Sequence, residues 1–175
     1  MPMTTPTYAS TAANLNSAFP LDYKRYKSLL FPTGGTTPFI VDIPKPPNSS
    51  DDPPLYGLSY MHWLTGSATC SPVNHTCIEI KQVRNGSIDE HILVIMADQD
   101  HTPNHPGVLP RNQCIESFLN GGTWEGNVLA VKQVGNQIAD VLPEQVDELA
   151  TAVQFFFRIR QAKAQSAVIN RHLYG

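Results

Sequence analysis

The chain has 175 residues, enough for one domain and for a core built without metal or disulfide staples. Hydrophobic residues make up 41%, yet no apolar run approaches the roughly 18 residues needed to span a bilayer, which excludes a membrane-spanning helix. Charged residues are only 15% and the net charge is −3, which argues against holding nucleic acid by bulk electrostatics, and 15 prolines predict long loops.

Residues 1–20 have no basic n-region, no apolar h-region and no arginine, so they match neither a secretory signal nor a transit peptide. They read as a disordered polar leader on a cytoplasmic protein. Without a secretory route, the sequons at Asn48, Asn74 and Asn85 read as chance matches. Leu21–Phe31 places Tyr23, Tyr26, Leu29 and Leu30 at helical spacing and predicts a short helix, ended by Pro32 and Gly34–Gly35. Pro38–Ile43 is a strand with β-branched residues. Residues 44–54 are Pro-rich, and proline has no N–H for a ladder, so an extended loop is expected there. Leu55–Leu64 is rich in aromatics and fits a strand or a helix equally well.

Cys77–Val83 and Ile88–Ala97 predict a hairpin joined at Asn85–Gly86, because Asn-Gly suits the two positive-φ positions of a type I′ turn. The unbroken apolar run Ile92–Ala97 predicts a central strand buried on both faces. A polar loop, Asp98–Pro110, follows. Arg111–Asn120 is a predicted helix with Gly121–Gly122 at its end, and Thr123–Val134 is a further strand. The strongest helix is Pro143–Gln161, with proline at its first position and a stripe of Val146, Leu149, Ala150, Val153, Phe156 and Phe157. Acidic residues open it and basic residues close it, which suits the helix dipole.

Several constellations could carry chemistry. Asp98, Asp100, His101 and His105 lie just after the central strand, and carboxylates with imidazoles are ligands for Zn²⁺, Mn²⁺ or Fe²⁺. Pro103 and Pro106 argue against the helix that would put both histidines on one face, so a solvated loop is the plain reading. Cys114 follows Arg111 near a helix N-terminus, two features that lower a thiol pKa, although a buried cysteine beside Ile115 and Phe118 is the plain reading. Cys70, His75, Cys77 and Cys114 can be drawn as a zinc set, but their spacing matches no known finger or ribbon. Tyr56, Tyr60, His62 and Trp63 form either core or an aromatic contact platform. In the last helix, Phe155 and Ile159 fall opposite the core stripe, with Ala152 and Ala162 beside them. A helix with one buried face has no use for that second patch, which implies an interface or a second packing layer.

The segment from Thr123 to Val134, through Trp124, Gly126, Asn127, Val128, Leu129 and Lys132, resembles short proteins of mushroom-forming fungi. The resemblance implies a eukaryotic intracellular setting and brings no activity, cofactor or catalytic residue.

The expected fold is a single α+β domain over 21–175. It has an antiparallel sheet with the C-terminal helix packed on one face and long Pro-rich loops. The expected function is a non-enzymatic interaction module without a cofactor. It would act through a protein partner or as a homo-oligomer, with Phe155, Ile159, Tyr56, Tyr60 and Trp63 at the contact. The alternative is a metal-dependent hydrolase or oxygenase holding a divalent metal on Asp98, Asp100, His101 and His105. A third reading, nucleic-acid binding, requires Arg158, Arg160, Lys163 and Arg171 to line up with Lys24, Arg25 and Lys27.

Overall fold

A computed structural model describes residues 25–44, 75–84, 87–97, 109–135 and 137–174. The leader, most of the Pro-rich stretch, Leu55–Leu64 and the Asp98–His105 loop lie outside the described residues. The elements in chain order are β1 (Arg25–Phe31), β2 (Phe39–Pro44), β3 (His75–Arg84), β4 (Ser87–Ala97), α1 (Gln113–Glu116), β5 (Val128–Val134), β6 (Gln137–Ala139) and α2 (Val146–Tyr174). A 3₁₀ turn, Pro143–Gln145, leads into α2. The strands form one antiparallel sheet in the order β2-β1-β5-β4-β3, with β6 paired to the far half of β5. The α+β class and the helix on one sheet face agree with the sequence reading.

The predicted Cys77–Ala97 hairpin is present, and Arg84 pairs with Ser87 so that two residues join its strands. Ile92 to Met96 are all buried, as the apolar run requires of a strand covered on both faces. The first segment differs from expectation: Leu21–Phe31 does not supply a helix, because Arg25–Phe31 is a strand between β2 and β5. Leu29 and Phe31 enter one core cluster while Tyr26 and Leu30 enter another. The pleat uses residues on both sides of β1, whereas a helix would have left half of them in water. The predicted Arg111–Asn120 helix contracts to the single turn α1, since Ser117 already caps it and residues 117–121 turn away. The last helix runs past the expected Gln161 to Tyr174.

Two apolar clusters sandwich the sheet. The first joins Leu29, Phe31, Ile92, Val94 and Val128 to Leu149, Val153 and Phe157 of α2 and to Cys114 and Ile115 of α1. Trp124 and Phe157 meet edge to face at 4.8 Å, an arrangement the ring quadrupoles favour. Among the described residues, the second comprises Tyr26, Leu30, Val41, Ile43, Leu93, Ile95, Leu129 and Val131, with Phe39 and Ile138 against it, all of them strand residues.

Asn112 joins β1, α1 and the approach to β5. Its side-chain amide donates to the Phe31 carbonyl at 3.0 Å and to the Gly126 carbonyl at 2.8 Å. Its Oδ1 accepts the Ile115 N–H at 2.9 Å as the α1 cap. Its backbone N–H donates to Trp124 at 2.7 Å. Gly126 has φ of 77°, a left-handed conformation that glycine adopts without steric cost, and its N–H reaches the Pro110 carbonyl at 2.9 Å.

If capping were the only role of Asn112, aspartate would replace it without loss. We expect Asn112→Asp to destabilise at least as much as Asn112→Ala, by about 3 kcal/mol, because a carboxylate would face two buried carbonyls. Urea titrations of the three proteins check this, and an Asn112→Asp protein as stable as the parent would refute it.

Candidate interaction surface

The surface is set by how α2 is held. At its start, the Lys132 side chain is buried on the α2 face of β5, and its Nζ lies 3.4 Å from Glu90 Oε1 and 3.3 Å from Gln145 Oε1. The same Gln145 oxygen accepts the Leu142 N–H at 3.2 Å, so the buried ammonium fixes the 3₁₀ turn to the sheet. Charged groups this poorly hydrated need such partners.

Farther along, Leu149, Ala150, Val153 and Phe157 are buried against the sheet. Arg158 Nε donates to the Phe118 carbonyl at 3.2 Å, and Gln161 exchanges two hydrogen bonds with the Asn120 backbone. The Arg160 guanidinium sits 5.8 Å from the Trp124 ring centroid, a cation–π distance. These contacts fix the rotation of α2 about its own axis. Phe155 is thereby aimed away from the sheet and is 65% exposed, and Ile159, one turn on, is 39% exposed. From Ala162 to Ala167 every residue is exposed.

The predicted contact residues therefore divide. Phe155 and Ile159 lie together on the outer face of α2, as the helical spacing implied. Tyr56, Tyr60 and Trp63 lie outside the described residues. The predicted metal residues Asp98, Asp100, His101 and His105 also lie outside them, as do Cys70 and Lys24. Among the described residues no group of three or more His, Cys, Asp or Glu side chains is placed to hold a metal ion. The basic groups of α2 are partly spoken for, since Arg158 and Arg160 turn back onto the Phe118 carbonyl and the Trp124 ring. No described helix is long and apolar enough to cross a membrane.

Cys114 has no exposed surface, and burial pushes its thiol up to about 12. The acidifying effect expected from Arg111 does not arise, because that guanidinium makes a two-pronged contact with Glu116 at 2.9 Å for each bond. The pairing holds the Glu116 carboxyl below its usual range. Cys114 is a core residue and carries no nucleophile. On β3 and β4, Glu79, Lys81 and His91 form a polar group on the second sheet face, with His91 against Glu79 and Lys81 Nζ 3.8 Å from Glu79.

A thiol whose folded pKa exceeds its unfolded one stabilises the fold below the unfolded value, and that contribution is lost as pH rises toward the folded value. Between about pH 9 and 12, stability should fall, by up to ~1.4 kcal/mol per pH unit from this group. Subtracting the pH–stability curve of Cys114→Ala from that of the parent isolates the slope. A flat difference would show that the Cys114 thiol ionises in the folded state as readily as in the unfolded one.

In comparisons with known proteins, the chain matches no family model, no curated protein and no solved structure.

Proposed function

We propose that the protein is a non-enzymatic interaction module that acts through the outer face of α2, and that the face pairs with a second copy of the same chain. The observation that carries this reading is Phe155, a large ring 65% exposed on a helix whose rotation is fixed by contacts on both sides of it. An exposed phenylalanine next to an exposed isoleucine costs solubility and contributes nothing to the core beneath it.

Charge favours a second copy as the occupant. The first turns of α2 carry Asp147 and Glu148, and its later turns carry Arg158, Arg160 and Lys163. An antiparallel pair crossing near Phe155 brings Lys163 of each copy level with Glu148 of the other, on the same flank of the seam, and aligns the helix dipoles favourably. A parallel pair would set like charge on like. A two-fold axis makes each contact twice, which is how a small patch becomes a self-complementary interface. The patch is at the low end of interface sizes, so a weak dimer with a dissociation constant on the order of micromolar is expected.

Native mass spectrometry of the untagged full chain should show dimer that grows with concentration. Phe155→Asp should weaken it at least about tenfold, through burial of a carboxylate. Glu148→Lys and Lys163→Glu should each loosen the dimer, and the double swap should restore it. A parent that stays monomeric, or a dimer untouched by Phe155→Asp, would sink this reading.

A further inference from the structure

The second sheet face presents a puzzle that the pairing registers resolve. Leu129, Val131, Ile95 and Ile43 there have no exposed surface, yet among the described residues the cluster they form contains strand residues alone. A sheet face open to water cannot bury its central side chains through strand neighbours only, so another layer must lie on it. Its occupant follows from connectivity.

β2, β5 and β3 run in one direction, and β1 and β4 in the other, because every pairing is antiparallel. β2 and β3 are therefore parallel to each other and stand at opposite edges of the strand order. The thirty residues between them, 45–74, leave one end of the sheet and return at the other, which is a crossover connection. Crossovers between parallel strands of one sheet are right-handed in about 98% of cases.

The backbone fixes which face that rule selects. The Lys27 N–H donates to Asp140, the Lys27 carbonyl accepts from Val141, and the Phe31 carbonyl accepts from Asn112. Odd residues of β1 thus turn their peptide groups toward β5 and β6, while Leu29 and Phe31 place their side chains on the α2 side. For L-residues this geometry sets left and right. Viewed from α2 with β1 pointing up, β5 is on the right and β2 on the left. Turned so that β2 and β3 both point up, the connection travels from right to left. Over the α2 face such a path is left-handed, and over the second face it is right-handed.

We infer that the second face is the docking surface of residues 45–74, and that the apolar run Leu55–Leu64 lies across it. Reach and chemistry agree. Four inter-strand spacings amount to about 19 Å, which ten residues cover when extended at roughly 3.3 Å each. Tyr56, Leu58, Tyr60 and Trp63 supply large apolar side chains to a face made of Leu, Ile and Val. The aromatic segment then covers the chain's own sheet, and the α2 pairing does not depend on it.

The chain has two tryptophans, Trp63 and Trp124, so Trp124→Phe makes Trp63 the sole emitter. Its emission should be blue-shifted, and quenching by acrylamide should be several-fold weaker than in the urea-unfolded chain. Emission and quenching like those of the unfolded chain would overturn the inference. A second measurement places the segment. A photoreactive phenylalanine analogue at position 63 of the full chain should attach to β5 around Leu129–Val131 or to β1. Attachment to α2 would overturn the inference. So would attachment to β5 from the same analogue at position 19 but not from position 63, since residues 1–24 would then be the cover.

Discussion

The fold depends on how Asn112 closes one end of the sheet. β1 and β5 pair over only three residues, Leu29 to Phe31 against Val128 to Ala130. Beyond Phe31 the strands part, and peptide groups at a parted sheet end must find partners or remain dry and unpaired. Asn112 supplies them, taking the Phe31 and Gly126 carbonyls with one amide and capping α1 with the oxygen. Asn127 continues the closure by accepting the Thr33 N–H at 2.7 Å. Because α1 is pinned in this way, Cys114, Ile115 and Phe118 reach the first core cluster, and the Phe118 and Asn120 carbonyls are in place for α2. One buried amide thus connects the sheet end to the placement of the long helix.

The other half of the β1 edge is closed by a different device. β6 pairs with the far half of β5, and the chain leaving it brings Val141 N–H to the Lys27 carbonyl and Asp140 to the Lys27 N–H. The central strands therefore have partners along both edges even though β1 and β5 overlap so little. This satisfaction of backbone groups leads directly into the 3₁₀ turn and α2, where Lys132 fixes the start of the helix. Sheet closure and helix placement follow consecutively along the chain, which explains why α2 has little freedom to rotate and why Phe155 is directed outward.

The legible and illegible parts of the sequence divide along physical lines. The β3–β4 hairpin and the long helix were readable because their signals are local: Asn-Gly between apolar runs, and an apolar stripe of 3.6 period after Pro143. β1 was unreadable because Tyr26, Leu29 and Leu30 fit a helical stripe as well as a pleat. Only pairing with β2 and β5, distant in sequence, decides between the two. β6 has three residues and no pattern of its own. The structural weight of Asn112 had no sequence signal beyond being a capping residue type before a short helix. On the surface side, the outward aim of Phe155 and Ile159 followed from helical geometry. Arg158 and Arg160 read as surface charge, and only the fold shows that they turn back onto Phe118 and Trp124.

These constraints bear on where the molecule can meet another. Apolar surface on a sheet can be hidden by a helix, by a crossing segment or by a partner. α2 hides the first face with one side of its circumference. The second face carries the polar group of Glu79, Lys81 and His91 at the β3 edge, and the crossover proposed for residues 45–74 would cover its apolar centre. Among the described residues, the remaining large apolar side chains in water are Val134 and Leu142, well separated from α2's outer face in sequence, and the adjacent pair Phe155 and Ile159. Isolated apolar side chains are ordinary on a protein surface, whereas an adjacent pair on a helix held in fixed rotation forms a continuous patch with defined geometry. The contacts that give the chain its core therefore leave Phe155 and Ile159 exposed on the outer face of α2, and the proposed pairing rests on that patch.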